Sequence, residues 1–328
     1  MEKQIVIYKP YTERVPDSQY DTLLRDLLYS ETREKKTSYH SQAKENKGSG
    51  HEYCFELPCR TLQFQVSNGA PITTLRNLGK FGILGSIGEM LGFINGARTL
   101  KELVSHGCPE VFWAPSVTKE KCAVWGLKEG DLGPGSYGET LTRLHVPTPW
   151  WMFWKKYKTF NQITALNNQI QNNPKARTNL IGSWYAPLAM GDKTQGFPRR
   201  VVVAPCHANL LQFDTMDNKN MHMTVYQRSA DSPVGLAYNP IEWFAFGMMV
   251  AYIGNLNFTW YTHVLPNPQI YDIQFEVVEK LLQRSPGRLP SLYLRPKGER
   301  KQLTDFRVED FELQDYHPHE KERVPSVV

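Results

Sequence analysis

The feature that most restricts the fold is an apolar block late in the chain. NPIEWFAFGMMVAYIG (residues 239–254) reads as a helix, and Trp243 to Ile253 carries no charged side chain. A helix that is apolar on every side is buried on every side or spans a membrane. This one is too short for a bilayer, which needs about 20 apolar residues. It therefore requires a large core. Upstream lie strand-like LIGSW, RRVVVAP, LLQF and HMTVYQ; downstream come WYTHVL, a helix EVVEKLLQR, and strands SLYLR and DFRVEDFEL. Across 328 residues there is no internal repeat and no linker. The simplest account is one α+β domain over residues 1–328, built around a large, mostly buried sheet.

The first half of the chain is less regular. DTLLRDLLYSETREKK reads as a helical start, and the polar stretch near 40–52 (SQAKENKGSGHE at 41–52) as a mobile loop. CRTLQFQV reads as a strand, and ILGSIGEMLGFI as a helix with Glu89 among apolar neighbours. A glycine-rich loop, EGDLGPGSYG, spans 129–138, and an aromatic insertion near 145–158 holds Trp150, Trp151 and Trp154, read as local core. FNQITALNNQIQNNP reads as an amphipathic helix ended by Pro174. Neither KGSG nor GPGSYG ends in the Lys-Ser/Thr pair of a phosphate-binding P-loop.

Charge and cysteine usage exclude several classes. The net charge of +5 comes with Lys and Arg interspersed among acids, which argues against nucleic-acid binding and suits small anionic ligands. The N-terminus MEKQIVIYKPYTER lacks the apolar region of a secretory signal, so a cytoplasmic protein without membrane contact is expected. Five cysteines (54, 59, 108, 122, 206) form no CxxC pair, which fits reduced thiols and no metal site. His317 and His319 sit in a polar tail and read as solvated.

Three residues invite chemistry, each with a plainer alternative. Cys206 follows the Val201–Val203 run and Pro205, and a lone cysteine there is ordinarily packing. A nucleophile needs a nearby cation, which Arg228 supplies if its strand neighbours the valine strand. Asn239-Pro240-Ile241-Glu242 has the pattern of a helix start, with Asn at the N-cap, Pro at N1 and Glu at N3. Glu89 on an apolar helix is costly unless paired or solvated, and it reads as a general acid or base with a raised pKa.

The order of these signals is more specific than any one of them. APCH, LLQF, YQRSAD, GLAYN, an apolar helix and PNPQIY, with SIGEMLGFINGARTLKEL and GDLGPGSYG upstream and FRVEDFELQDYHPHEKERVPSVV at the end, closely resemble the thymidylate synthase family. The resemblance covers about residues 60–328. It implies a three-layer α+β fold with a large mixed sheet packed by helices, the sheet forming a homodimer interface. It also implies a one-carbon transfer from 5,10-methylenetetrahydrofolate to C5 of a pyrimidine nucleoside monophosphate. Cys206 would attack C6. Arg228, Ser229 and, from the partner, Arg177 would hold the phosphate, with Gln227 and Lys47 also on the substrate. Asn239 would read the pyrimidine edge, with an amide suiting uracil and an aspartate suiting cytosine. Tyr137 would assist proton loss from C5, and Glu89 would act as acid and base through water. Trp113, Asp231, Tyr238 and the terminal Val328 would contact folate, and Tyr271 the sugar. His207 is expected to be a neighbour of the nucleophile and not its base.

Several positions depart from the family pattern. The loop arginine is missing, with Lys47 its nearest cation, and the second cross-subunit arginine is Thr178; Arg199 and Arg200 are the available replacements. Gln269 stands where the family has a histidine at the sugar, which bears on deoxyribose against ribose. Ser116 stands where it has a second tryptophan on the folate wall. A wall short of one tryptophan admits water, which gives a hydroxymethyl in place of a methyl product. The residues therefore favour dUMP 5-hydroxymethylation, then thymidylate synthesis, then CMP or UMP hydroxymethylation. The reading of another class is an inactive nucleotide- or RNA-binding dimer, against which stands the joint presence of Cys206, Arg228, Asp231, Glu89 and Tyr137.

Overall fold

The computed structural model describes residues 5–37, 51–147, 157–217 and 219–327. The loop near 40–50, with Lys47, the centre of the aromatic insertion with Trp150, Trp151 and Trp154, and Val328 lie outside the described residues.

Two sheets position the site. The larger runs in the order β3 (Arg60–Gln65), β10 (Asn257–Leu265), β8 (Asn220–Tyr226), β7 (Leu210–Met216), β6 (Leu180–Ile181). β10 is parallel to β8, and the other pairings are antiparallel. The smaller sheet comprises β1 (Glu34–Thr37), β2 (Tyr53–Glu56), β11 (Pro268–Tyr271) and β9 (Ala230–Asp231). Two hairpins, β4 (Leu144–Pro147) with β5 (Tyr157–Phe160) and β12 (Ser291–Leu294) with β13 (Phe311–Gln314), add to these. The helices that matter most are α1 (Gln19–Tyr29), α2 (Gly79–Ile94), α3 (Tyr137–Thr142), α4 (Gln162–Asn172) and α5 (Asn239–Gly254).

Side-chain alternation explains how the large sheet is dressed. Leu211, Phe213, Met221, Met223 and Val225 point to one face and are fully buried. Helix α5 covers that face, and it comes close because residue 247 is glycine. A Cβ there would stand 2.7 Å from Phe258 and 2.9 Å from Met223. Helices α2 and α4 pack on α5 in turn, which buries it all round as its composition requires. On the opposite face Leu210, Met216, Tyr226 and Trp260 are exposed. The expectation of a mostly buried sheet is thus corrected: within one chain only one face is covered.

Two expected strands are also corrected. Val201–Val203 forms no strand; the chain there is irregular, between Pro198 and Pro205. Its neighbour is the glycine-rich loop, through single bonds from Val202 N to Leu132 O and from Gly135 N to Arg200 O, so no ladder develops. In DFRVEDFEL only Phe311–Gln314 pairs, because Val308–Asp310 closes into a 3-10 turn.

Candidate active site

The irregular course of residues 198–209 places the thiol. After Pro205 the chain turns through Cys206 and His207 to Ala208, whose φ of 51° lies in the left-handed region. That conformation costs a non-glycine residue roughly 1 kcal/mol. Ser183 holds the turn: its amide N–H and its hydroxyl both donate to Ala208 O, at 3.0 and 2.9 Å. Strand β7 then begins at Leu210.

Arg228 follows β8 directly and reaches back over this turn. Its Nε donates to Pro205 O (2.8 Å), its Nη2 to Ala204 O (2.9 Å), and Nη2 stands 3.6 Å from Cys206 Sγ. Asn209 ties the two segments together, accepting from Arg228 N and donating to Pro205 O. Burial pushes the Cys206 thiol pKa up, and the positive charges of Arg228 and Arg199 pull it down. Replacing Arg228 with Met is expected to move the midpoint of Cys206 alkylation by iodoacetamide to higher pH. An unchanged pH profile would show that the guanidinium does not govern the thiolate.

Tyr137 opens α3 at the end of the glycine loop. Gly138 makes this approach possible, since a Cβ there would meet Ala97 O at 2.1 Å. The buried Tyr137 hydroxyl accepts from Cys206 N (2.7 Å) and His207 N (3.2 Å). Both lone pairs are used by these amides, so its own proton is what it has to offer a substrate atom. Tyr137→Phe leaves two amides without their acceptor and is expected to cost about 1–3 kcal/mol in denaturant unfolding. A loss below 0.5 kcal/mol, an order-of-magnitude floor for one hydrogen bond, would overturn this role.

Glu89 lies on the buried side of α2. Its Oε1 accepts from the indole Nε1 of Trp113 at 2.5 Å, and burial raises its pKa to about 7. His207 is neutral, its pKa depressed to about 3 by burial; its Nδ1 accepts from Trp243 Nε1 at 2.9 Å. Its Nδ1 is thus occupied, and its ring lies against that of Tyr137, with centroids 4.7 Å apart.

The end of β8 and the start of α5 form a second group. Asn239 is buried, and it is the first helical residue and not the cap, which is Tyr238. Its Oδ1 accepts from Gln227 Nε2 (2.9 Å) and its Nδ2 donates to Glu242 Oε1 (3.2 Å). The capping reading of Asn239 is corrected: its amide is held by Gln227 from the end of β8 and by Glu242 one turn along its own helix.

Ser229, Gln269 and Tyr271 meet at the junction of β9 and β11. Gln269 Nε2 donates to Ser229 Oγ at 2.9 Å and also to Asn267 Oδ1, while its Oε1 accepts from Tyr271 OH at 2.9 Å. Asp231 is half-buried, with its pKa raised to about 7 by burial, and Gln274 Nε2 donates to both its oxygens. Gln274 also donates to Pro325 O, fastening the C-terminal segment, and Val327 packs on Tyr271 and Cys54. Tyr238 is tilted against Phe112, next in chain to Trp113.

Other residues lie apart. Arg177 is exposed in the turn before β6, and Thr178 accepts from Gln169. Arg199 donates to the carbonyls of Val201 and Val202 and lies over Trp125 at 4.2 Å, while Arg200 is exposed. The sequence reading missed Gln274, His263 and Tyr261 entirely, and it took Glu242 for a cap partner. Their polar character on apolar or alternating segments was the available signal.

A thiol under a guanidinium and next to a tyrosine hydroxyl, with a carboxyl titrating near neutrality linked to that tyrosine through Trp113, is the equipment for nucleophilic addition with proton transfer. The family model described as thymidylate synthase matches residues 18–328. The chain belongs to the thymidylate synthase family. A relative, "Thymidylate synthase 1/2" of Encephalitozoon cuniculi (strain GB-M1), is 27% identical over 322 residues, covering 94% of this chain and 97% of the relative. Membership makes the chain an enzyme of a family that moves a one-carbon unit from methylenetetrahydrofolate to dUMP. The α+β architecture agrees with it. Among the described residues no helix is long and apolar enough to cross a membrane.

Proposed function

We propose that this member of the thymidylate synthase family converts dUMP to dTMP through a covalent bond from Cys206 Sγ to C6 of the base. The observation that carries the reading is the fixed amide of Asn239: Gln227 takes one oxygen lone pair and Glu242 one N–H, which leaves one lone pair and one N–H for a substrate. That pair matches the N3–H and O4 of uracil. Arg228 and Ser229 are the phosphate ligands of this reading, joined by Arg177 of the partner subunit. Gln269, between Ser229 and Tyr271, lies on the sugar side. Lys47 is a further substrate contact.

Folate supplies the one-carbon unit and, for a methyl product, the hydride. The residues present fit it: the Asp231 carboxyl, held by Gln274 and by backbone at Val234, suits the N–H groups of a pterin, and Trp113 and Tyr238 offer aromatic surface. Val328 completes this set. Glu89 exchanges protons by way of water, and Tyr137 assists the proton loss from C5 through its own hydroxyl proton.

Ser116 decides how much weight the hydroxymethyl product carries. It is 6% exposed, and Trp113, three residues before it, is 7% exposed and bonded to Glu89, so the position stays covered although its side chain is small. This supports methylation, since a dry site favours hydride over water. 5-Hydroxymethylation of dUMP is the second reading, kept by the loss of the second tryptophan. Enzyme supplied with [5-³H]dUMP and methylenetetrahydrofolate is expected to release tritium and yield dTMP with dihydrofolate, identified by mass spectrometry. A hydroxymethyl product with tetrahydrofolate supports the second reading, and no release with any pyrimidine monophosphate overturns catalysis.

A homodimer through the uncovered face of the large sheet belongs to the same proposal. Leu210, Met216, Tyr226 and Trp260 offer it an apolar surface. Tyr226→Glu with Trp260→Glu is expected to shift sedimentation to a monomer and to abolish activity, because Arg177 then serves no partner. A double variant that sediments and turns over like the parent protein would overturn this arrangement.

A further inference from the structure

Glu242 is the one carboxyl on α5's buried length, fully enclosed one turn after Asn239. Its Oε1 accepts from Asn239 Nδ2, and its Oε2 is buried with no hydrogen-bond partner. Oε2 stands 3.8 Å from His207 Nδ1. That nitrogen is already an acceptor, its one lone pair taking the Trp243 indole proton at 2.9 Å, so it has no proton to offer Glu242. An ionised carboxylate there would find no donor at His207, and the Glu89 carboxyl is a further negative charge acting on it. A neutral carboxyl with its bare oxygen towards Asn239 leaves no buried charge without a donor. Burial and Glu89 both push the Glu242 pKa up in agreement.

The other end of the Asn239 amide is also locked. Gln227 Nε2 donates to the backbone carbonyl of Ser229 (3.0 Å), which can only accept, and this fixes which end of the Gln227 amide is nitrogen. Its Oε1 is then bound to take the proton of His263 Nε2 (2.8 Å), and His263 Nδ1 that of Tyr261 OH (2.7 Å). With both ring nitrogens assigned, Gln227 presents N–H to Asn239 Oδ1. Only one orientation of Asn239 is left, with oxygen to Gln227 and nitrogen to Glu242.

We propose that Glu242, as a neutral carboxyl, is a positioning residue that works with Gln227 to hold the Asn239 amide in the orientation that reads uracil and rejects cytosine. Cytosine carries an acceptor at N3 and donors at N4, so it needs this amide turned over. The turned amide would set N–H against N–H at Gln227 and would give up the bond to Glu242. The inference rests on the proposed uracil specificity and names a determinant of it.

Equilibrium binding of dUMP and of dCMP by isothermal titration calorimetry tests this without folate or turnover. Glu242→Met keeps length and packing but offers no acceptor. It is expected to lower the dUMP-over-dCMP affinity ratio about tenfold, as loss of one buried hydrogen bond in a discriminating site implies. Glu242→Gln can present its oxygen to Asn239 without introducing a charge, and is expected to keep the parent ratio. A parent-like ratio in Glu242→Met overturns the proposal, and so does a Glu242→Gln protein as unselective as Glu242→Met, which would demand a charge. Should Glu242→Met fail to fold, the Glu242→Gln result alone decides in the same sense. A parent protein with no preference for dUMP overturns the uracil reading together with this inference, which separates the two failures.

Discussion

Cys206→Ala is expected to lower kcat by on the order of a millionfold, the usual cost of deleting a covalent nucleophile. The fold should survive, because Sγ makes only a long contact to Ala204 O and the approach of Arg228 Nη2, and neither holds the turn. The turn is held by backbone and neighbours: Tyr137 on two amides, Ser183 on Ala208, and Asn209 on Pro205. Tritium release from [5-³H]dUMP measures the loss, and circular dichroism with a melting curve measures the fold. Release at a rate within tenfold of the parent would remove Cys206 from the chemistry. An unfolded variant would instead make it a packing residue, the ordinary role of a buried cysteine.

Glu89→Gln is expected to show two opposite effects. As the acid and base of the reaction its loss should reduce kcat by about 10²–10⁴-fold. Stability should move the other way above neutrality. Burial raises the folded-state pKa from 4.5 to about 7, so between those values the folded protein holds a proton that the unfolded chain has released. Its stability contribution is therefore full below about pH 4.5 and is lost as pH rises through about 7, by on the order of 3 kcal/mol in total. Glutamine does not titrate and still accepts from Trp113. The melting temperature of Glu89→Gln relative to the parent should thus be higher at pH 8 than at pH 5. A difference that does not change with pH would place Glu89 at an ordinary carboxyl pKa and remove the reason for its role.

The chemistry-bearing residues were legible because their order along the chain is distinctive, even though each alone had a plain structural explanation. Helix 162–172 and strands β7, β8 and β10 were legible from period, since burial on one face leaves a mark at every second or every third to fourth residue, and helices 79–94 and 239–254 from the length of their apolar runs. Val201–Val203 failed by the same rule. Three valines are a good strand, but a strand also needs a partner with free N–H and C=O groups, and the neighbour here is a glycine loop. NPIE failed in a related way. It satisfies the local rules for a cap, yet Gln227 and Glu242 claim the Asn239 amide.

By itself the sequence determined which segments are buried, that a thiol stands beside a proline, and which residue types could form a site. Burial periodicity and backbone stiffness are local properties, readable within about ten residues. The tertiary structure alone decided how those types are wired. Arg228 bends over a turn 22 residues earlier, a tryptophan on the far side of a loop tunes Glu89, and a tyrosine, a histidine and a glutamine fix an amide 22 residues before that tyrosine. Hydrogen-bond direction is settled only when every donor in a buried network has met its acceptor, and that is a property of the packed interior.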